Sequence, residues 1–469
     1  MSTFTGLNTA ASALTAARRG IELTGQNIAN QGTTGYTRQR LETSAVGAVA
    51  QAGRFTTGVV PGQGVRLDGI TRIGDAVLDA RVRDALGASG FWTVRAEAAR
   101  TAEAVMAEPT KEGLAHGLSQ FWAGWQDLSN TPDSDAAAAV VLSSAAVLAG
   151  QIAAGYTAAS TQWSDARGGI ERTVSEVNTA ADQVAGLNRD IRDALNAGRS
   201  ANELIDQRNV LVERLARTAG ASGTVEADGT LTVRVDGNAL VSGDTARHLV
   251  VAGPVGISTG DPVTVAWAHR PDEPISDLGG ELGGTVSLLA PADEGGMLAG
   301  LADTYNRLAT ELATRVNAQH AAGVTAAGAP GGDFFALAAG APAALGLTVV
   351  PTSGSQLALA APGAGAVDAT NADAISQIGS GAGSPDTLWA DFVTSFAVQT
   401  AGDGQRASVA EVAAVTSVAA QQSVAGVDGD EETIALMTYQ TAYQAAARVL
   451  TAVDEALDVL INRTGMVGR

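Results

Sequence analysis

Two apolar seams, one near each end of the 469-residue chain, constrain its fold more than any other feature. Both repeat in steps of three and four residues, which keeps their side chains on one face of an α-helix. The first seam consists of Leu7, Ala10, Leu14, Ala17, Ile21, Thr24 and Ile28. The second consists of Leu436, Tyr439, Tyr443, Ala446, Leu450, Val453, Leu457 and Leu460. Such a stripe is buried only against another helix, so we expect the two helices to pair and then to pack against neighbouring subunits. Periodicity alone leaves packing within the chain's own domain equally open.

The acidic composition limits the partners of the chain. Its net charge is −20, and Lys111 is the only lysine. Because such a surface repels phosphate backbones and anionic lipid, we expect protein partners, no nucleic acid and no membrane. The chain has no cysteine, which excludes disulfides and thiolate chemistry. A hydrophobic content of 45% and the chain length predict two or three domains. Polar interruptions at Asn8, Ser12 and Arg18 leave no cleavable secretory signal visible.

An uncharged stretch of 29 residues, from Ala136 to Ser164, raises the alternative of a membrane span. Its length suffices, because a bilayer is crossed by about 20 apolar residues. Alanine, which contributes little transfer energy, makes up most of it, and the larger groups Val141, Leu148 and Ile152 recur at helical spacing. We therefore predict a close-packed helix of a soluble protein.

The segment from 72 to 219 is predicted to be helical. A near-heptad apolar stripe begins at Ile170 and is interrupted by the polar residue Asn188. Ser200, followed three residues later by Glu203, predicts a capping box at the start of the next helix. Long helices of this kind form bundles.

A β pattern interrupts the helices between 225 and 244. Leu231, Val233 and Val235 alternate with polar residues, and Asp-Gly pairs stand at 228–229 and 236–237. Alternation is typical of a half-buried strand, and Asp-Gly is typical of a hairpin turn. We therefore predict consecutive antiparallel hairpins.

The predicted fold class is mainly α with an inserted β domain. The terminal helices are paired as a coiled coil, the centre is a bundle of long helices, and the insertion is a small antiparallel β domain. We place a terminal coiled-coil and loop assembly domain at 1–70 plus 426–469. The helical bundle, with a mixed Gly/Pro-rich segment, takes 71–219 plus 285–425, and the β domain takes 220–284.

No motif in the sequence indicates catalysis. A P-loop is absent, because Lys111 follows Thr110 and precedes Glu112. None of the four histidines lies four residues from another, and without cysteine a zinc site has few ligands. A triad whose members are distant in sequence stays open. We predict no catalytic residue, no cofactor and no metal site, and hence that the chain is not an enzyme.

An acidic run precedes the second seam, with carboxylates at Asp428, Asp430, Glu431 and Glu432. It lacks the spread of ligands over twelve residues that a calcium-binding loop uses. Acidic residues in the first turn of a helix are stabilised by the macrodipole. We therefore interpret the run as the start of a helix.

The segment 27–38, NIANQGTTGYTR, carries a family resemblance, and we call it the signature segment. It resembles the motif of the flagellar rod, hook and hook-associated protein family. The matching positions are Asn27, Ile28, Ala29, Asn30, Thr33, Gly35, Tyr36 and Arg38. Glycines and asparagine permit the left-handed turns that end a helix, and we expect Tyr36 and Arg38 to anchor the chain against a neighbour. Many relatives have proline at the position that Thr34 occupies here.

Three segments in the middle of the chain separate the branches of that family. The stretches 118–149, 203–216 and 317–335 resemble its hook-associated members, whereas hook and rod proteins lack such a helical bundle. The last forty residues also resemble the family's C-terminal segment. The resemblance is weakest over 220–284 and 336–383.

This resemblance implies a structural axial protein that joins the hook to the filament. It implies export in an unfolded state through the flagellar type III channel and assembly of the terminal helices as an inner coiled coil outside the cell. A cytoplasmic chaperone would hold the C-terminal helix, here about 432–462, before export. The implied partners are copies of the chain itself, hook protein, a second junction protein and that chaperone. Two alternatives stay open, a hook or rod subunit and an adhesin or enzyme displayed by 220–284.

Overall fold

The computed structural model of the chain describes residues 3–47, 62–257, 261–365, 367–459 and 461, and the side chains of 3–5 are left out. The helices in this part of the chain are α1 (Thr3–Ala29), α2 (Ala76–Met106), α3 (Leu114–Asn130), α4 (Asp135–Asn196), α5 (Asn202–Ala219), α6 (Gly280–Leu289), α7 (Met297–Ala321), α8 (Ala343–Gly346), α9 (Thr370–Ser376), α10 (Pro385–Ala425) and α11 (Gly429–Asp458).

Short antiparallel strands stand between these helices. They are β1 (Gln39–Ala45), β2 (Val65–Arg72), β3 (Ser222–Val225), β4 (Leu231–Val235), β5 (Asn238–Ser242), β6 (Thr245–Ala246), β7 (Leu249–Ala252), β8 (Thr264–Trp267), β9 (Arg270–Pro274), β10 (Val324–Thr325), β11 (Phe335–Leu337), β12 (Leu347–Val349) and β13 (Ala358–Ala360). The expected fold class, mainly α with a small antiparallel β region, is confirmed.

The helical bundle, which comprises α2 to α7 and α10, contains the main core. Its apolar faces meet around three tryptophans, Trp125, Trp163 and Trp389, all of them buried. The most extensive contact between two helices of the bundle is that between α2 and α10, which run antiparallel to each other. Polar pairs mark their alignment: Gln421 contacts Asp79 near one end, and Asp403 contacts Arg95 further along.

Helix α4 spans 62 residues and is the axis of the bundle. Ser134 caps its first turn by accepting a hydrogen bond from the backbone N–H of Ala137. By length and composition this helix could cross a membrane. Its buried stripe packs against α3, α5 and α7.

The predicted β region lies against α4 and shares its core. Strands β3 to β6 form one sheet and β7 to β9 another. At the predicted hairpin turn between β4 and β5, Asp236 and Gly237 both have positive φ angles, 48° and 71°. Buried side chains of β4 and β8, such as Val233 and Val265, belong to the same hydrophobic cluster as the helices. The bounds of the predicted β domain, 220–284, stay a prediction.

Asn188, the polar interruption of the α4 stripe, anchors a sheet to this helix. Its side chain is fully buried, accepts a hydrogen bond from Leu231 N and donates to the carbonyl oxygens of Leu231 and Gly243. Arg208 of α5, also buried, donates to Asn188 Oδ1 at 3.1 Å. Burial, with a smaller contribution from Arg72, lowers the pKa of Arg208 to about 10.

The predicted capping box at the start of α5 was wrong. The helix begins at Asn202 after Ala201, and no side chain caps its first turn. Ser200 is exposed, and Glu203 bonds instead to Gln26 and Gln39 of the N-terminal region. The Glu203 carboxylate is therefore used between elements and not within the helix.

Candidate assembly interface

Helices α1 and α11, which we call the terminal pair, pack against each other along their length. The contacts are antiparallel, because Glu432 at the start of α11 meets Asn27 near the end of α1. Near the other end, a Cβ atom added at Gly6 would lie 3.6 Å from Val453 Cγ2. Between them the ring of Tyr439 fills the space beside Gly20, where any side chain would overlap it. On α11 the contacts Tyr439 and Val453 belong to the predicted seam, whereas on α1 the contacts at 6, 20 and 27 lie one position before Leu7, Ile21 and Ile28.

The structure distributes the predicted seam residues among three environments. Ala10, Ala17, Thr24 and Ala446 are buried. Partly buried are Leu7, Leu14, Ile21, Leu436, Tyr439, Leu450, Val453 and Leu457. Ile28 and Tyr443 are exposed, and Leu460 lies outside the described residues. Leu23 is also buried but was missed, because it stands one position off the seam that the spacing selected. The predicted interface role of these residues stays a prediction.

Helix α11 keeps a second apolar face that nothing in the described chain covers. Ile434 is 61% exposed, Met437 is 54% exposed and Val449 is 50% exposed. Ile461, just beyond the helix, is 74% exposed. Only Glu432 and Ala446 of the whole helix are buried in the described chain. Apolar groups at this spacing on a helix that already has one partner are typical of a protein-binding surface.

The amide of Asn27 is the centre of the signature segment, and it is 1% exposed. Its Nδ2 donates to Gln39 O at 2.9 Å and to Glu432 Oε2 at 3.1 Å. Its Oδ1 accepts from Tyr36 Oη at 2.8 Å and from Gln39 N at 3.1 Å. Two donated and two accepted bonds use the full capacity of an amide. Any other residue at position 27 would leave buried polar groups unpaired.

Arg38 ties the signature segment to the start of α11. Its Nε donates to Glu432 Oε1 at 2.6 Å, its Nη1 donates to Glu431, and its backbone N–H donates to Ala425 O. We expected Tyr36 and Arg38 to anchor the chain against a neighbour. Within the chain, Arg38 donates to carboxylates of α11 and Tyr36 donates to Asn27 of α1, and contact with a neighbour stays a prediction. The first-turn carboxylate of Glu432, interpreted from the sequence as a macrodipole partner, is one of these acceptors.

The signature segment also bonds to the helical bundle through Asp206 of α5. Asp206 Oδ2 accepts from Thr37 N at 3.2 Å, and Asp206 Oδ1 accepts from Arg72 Nε at 2.8 Å. Burial, assisted by the nearby carboxylates of Asp206, Glu203 and Glu432, raises the pKa of Tyr36 to about 12. The phenol therefore stays protonated at neutral pH and can donate to Asn27.

The other predicted signature positions shape the turn that follows α1. Ile28 and Ala29 close the helix, and Asn30 Nδ2 donates back to Gln26 O at 2.9 Å. Thr33 N donates to Asn30 O in the turn that follows. Gly35 has a φ of +80°, and a Cβ there would overlap Val210 of α5. Glycine is therefore required at position 35 for both reasons.

The polar cluster, defined as Asn27, Tyr36, Arg38, Asp206 and Glu432, thus joins three elements. Among the residues that the structure describes, no group of three or more histidines, aspartates and glutamates is arranged to hold a metal ion. The cluster contacts α1, α11 and the bundle at one point. Its arrangement suits mechanical coupling of the terminal pair to the bundle.

Comparison with known families identifies the bundle. Residues 99–335, just over half of the chain, match the family described as "Flagellar hook-associated protein FlgK helical domain". The chain belongs to the FlgK family of flagellar hook-associated proteins. Residues 421–463, which contain α11, match the family described as "Flagellar basal body rod FlgEFG protein C-terminal". As a member of the FlgK family, the chain is a structural component of the bacterial flagellum.

Individual relatives agree with this assignment. The chain is 29% identical to flagellar hook-associated protein 1 of Bacillus subtilis, with both chains covered in full. It is also 29% identical to the Salmonella typhimurium protein of that name, over 71% of this chain and 59% of the relative. The flagellar hook junction protein FlgK from Burkholderia pseudomallei has a similar fold, with a TM-score of 0.61, 17% identity, and coverage of 75% of this chain and 100% of that structure.

The signature segment lies outside both family matches. The FlgK helical match contains α3 to α7 and the β region, and the C-terminal match contains α11. The polar cluster connects the regions that these two matches cover, because Asp206 belongs to the first and Glu432 to the second.

Proposed function

We propose that this FlgK-family chain joins the flagellar hook to the filament, and that copies of it assemble through the terminal pair. The observation that carries this proposal is the open apolar face of α11, with Ile434 and Met437 more than half exposed on a helix whose other side already contacts α1. A helix with one uncovered apolar stripe gains stability when a neighbour buries it. The neighbour that fits is a helix of another axial subunit.

The open face of α11 and the flagellar names of the relatives support a set of axial partners. Copies of the chain, hook protein and a second junction protein would contact the terminal pair. The terminal pairs of neighbouring subunits would form an inner layer. The bundle would lie outside that layer, and the polar cluster would hold it in place. The chain would act without catalysis, cofactor or metal, and its site of action would be extracellular.

Before assembly the same face requires protection. We propose that the chain is exported unfolded through the flagellar type III channel and that a cytoplasmic chaperone holds 432–462. The apolar residues of that stretch, which include Met437 and Val449, would contact the chaperone first and a neighbouring subunit later. Isothermal titration of the purified chaperone with the full chain, and with a chain ending at 431, tests this step. Equal affinity for both chains would contradict it.

Paired serine substitutions test the assembly proposal. Ile434→Ser with Met437→Ser removes apolar area from the α11 face without touching the polar cluster. Val140→Ser with Val147→Ser is the matched control, since these side chains are 55% and 58% exposed on α4. We expect the α11 variant to lose swimming and filaments in cells lacking the native protein, and the α4 variant to keep both. Normal filaments on the α11 variant, with the variant protein present at the hook tip, would contradict the proposal.

A further inference from the structure

The contacts between α1 and α11 recur at heptad intervals on both helices. Gly20 lies seven residues before Asn27, and its contact, Tyr439, lies seven residues after Glu432. Gly6 lies a further fourteen residues back, and its contact, Val453, lies a further fourteen residues on. One antiparallel register therefore holds along the whole terminal pair. By the same steps Ala13 stands opposite Ala446.

The apolar residues of the seams do not by themselves choose this register. Leu7, Leu14, Ile21 and Ile28 repeat every seven residues on α1, and Leu436, Tyr443, Leu450 and Leu457 repeat every seven on α11. A slip of one heptad would bring apolar residues opposite apolar residues again. Small side chains such as Ala10, Ala17 and Ala446 would tolerate the change. A pair of helices with this repeat needs a polar or steric device to specify one alignment.

Asn27 and Glu432 supply a polar layer that is correct in only one alignment. Glu432 is 2% exposed, and its two oxygens accept from Asn27 Nδ2 and Arg38 Nε. After a slip of one heptad, Glu432 would stand opposite Gly20 or would leave the end of α1. A buried carboxylate without its donors is strongly disfavoured. The slipped alignment would also remove the bond from Asn27 Nδ2 to Glu432, while the three bonds of this amide to Tyr36 and Gln39 would remain.

Gly20 and Tyr439 add a steric element to the same alignment. The Tyr439 ring occupies the space that a side chain at position 20 would need. A slip of one heptad would place this ring opposite Ala13 or Asn27, where a side chain stands in its way. The polar layer and the steric fit therefore select the same register by different physical causes.

We propose that Asn27, Arg38 and Glu432 act as a register lock that sets the alignment of α11 on α1 and rejects slips of one heptad. These residues are positioning residues, because they fix where the apolar face of α11 lies along the terminal pair. The consequence for assembly rests on the proposed function, since a slip would move Met437 about 10 Å along the pair relative to the bundle. The lock itself is a property of the single chain.

Disulfide trapping in the purified full chain tests the lock, and the absence of native cysteine makes the readout clean. Ala13→Cys with Ala446→Cys reports the native register. Ala13→Cys with Val453→Cys reports a slip of one heptad, because in the native register these positions are about 10 Å apart, beyond the reach of a disulfide. Each pair is combined with the native sequence, with Asn27→Ala plus Glu432→Ala, or with Glu432→Gln. Cross-linked fractions are measured on non-reducing gels and by mass spectrometry.

We expect the slipped pair to cross-link at least ten-fold more in the Asn27→Ala plus Glu432→Ala chain than in the native sequence. Glu432→Gln retains an acceptor for Asn27 and should give an intermediate increase. Glu22→Gln is the matched control, because this carboxylate is exposed on α1 and, among the residues that the structure describes, its ion pairs are with Arg18 and Arg19 of the same helix. It should leave both cross-links at the native level.

Two outcomes would overturn the proposal. The first is a slipped cross-link in the Asn27→Ala plus Glu432→Ala chain that stays at its native level. Loss of both cross-links would also overturn it, because the layer would then be needed for pairing itself and not for choosing between registers. The experiment uses no hook, filament or chaperone, so its failure is distinguishable from failure of the proposed function.

Discussion

The helical bundle and the terminal pair use the same helical spacing but bury different fractions of it. In the bundle, Phe121 of α3 and Leu148 and Ile152 of α4 are fully buried, because both helices have neighbours on several sides. In the terminal pair, Leu7 and Leu14 are only partly buried and Met437 is exposed, because each helix has one long partner. Apolar periodicity therefore predicts which face of a helix packs against a partner. The number of neighbours decides whether that face is covered.

Buried polar groups show the same contrast in another form. Asn188 in the bundle bonds to backbone groups of a sheet, so it joins a helix to the strands of the same core. Asn27 and Glu432 in the terminal pair bond to each other, although 405 residues separate them in sequence. The first arrangement stabilises one folded unit. The second connects the two ends of the described chain to each other and to that unit.

The largest expected effect is loss of an aromatic side chain from the bundle. Phe121 is fully buried and its ring meets those of Trp122, Trp125 and Phe334. Phe121→Ala should lower the free energy of unfolding by about 3–5 kcal/mol in urea titrations followed by tryptophan fluorescence. Leu14→Ala in the terminal pair, where the side chain is partly exposed, should cost less than half as much. Equal losses would break the comparison between the two regions.

Removing Asn188 should have the next largest effect. Asn188→Ala would leave Leu231 N, two backbone carbonyls and the guanidinium of Arg208 without their buried partner. We expect a loss of about 2–4 kcal/mol, measured by urea unfolding. Asn178, which makes the analogous pair of bonds to Leu249 at a half-buried position, is the matched control. Asn178→Ala should cost about 1 kcal/mol.

Acid should weaken the bundle through His320. Its Nδ1 lies 2.6 Å from Gly332 O, and its Nε2 accepts from Ala358 N at 3.0 Å, so the neutral ring satisfies both. Burial lowers the pKa of His320 in the folded chain below its ordinary value of 6.5, although the hydrogen bond to Gly332 O and the charge of Asp333 act in the opposite direction. As pH falls below about 6.5, the unfolded chain binds a proton that the folded chain does not, so stability falls until the folded pKa is reached.

Urea unfolding at pH 7.5, 6.5 and 5.5 measures this effect against the variant His320→Asn. The native chain should lose more stability over this range than the variant does. The terminal pair contains no histidine, so amide exchange in α11 should change less than amide exchange in α7. A larger change in α11 would contradict the assignment of this sensitivity to the bundle.

The sequence predicted the helices and hairpins better than it predicted the contacts between them. Seam spacing located α1 and α11, and the Asp-Gly pair located the β4–β5 turn, because both patterns are local. The partners of Glu203 and Glu432 were missed, since each lies more than 100 residues away and no local pattern encodes such a distance. Local rules assigned both carboxylates to their own helices. The three-dimensional fold gave them long-range donors.

The signature segment also shows that sequence patterns do not reveal contacts between distant residues. Its residues were identified by resemblance, but their chemistry was not, because a motif does not state which atoms its polar groups contact. The amide of Asn27 could be recognised as important only when all four of its bonds were seen. A buried residue that uses every donor and acceptor leaves no freedom for substitution.

The smallest expected effects come from two glycines of α1, and their signs should differ. Gly25 is exposed, and a Cβ there would contact nothing within 4 Å, whereas a Cβ at Gly20 would overlap the Tyr439 ring. Gly25→Ala should stabilise α1 by about 0.5–1 kcal/mol, since alanine loses less backbone entropy in a helix. Gly20→Ala should destabilise the terminal pair by about 1–3 kcal/mol because the ring has to move. Hydrogen exchange of α1 amides measures both, and amides of α4 should be unchanged because α4 belongs to the bundle. Protection that rises in both variants would show that Tyr439 does not fill the space beside Gly20, and that the terminal pair is packed more loosely than its register implies.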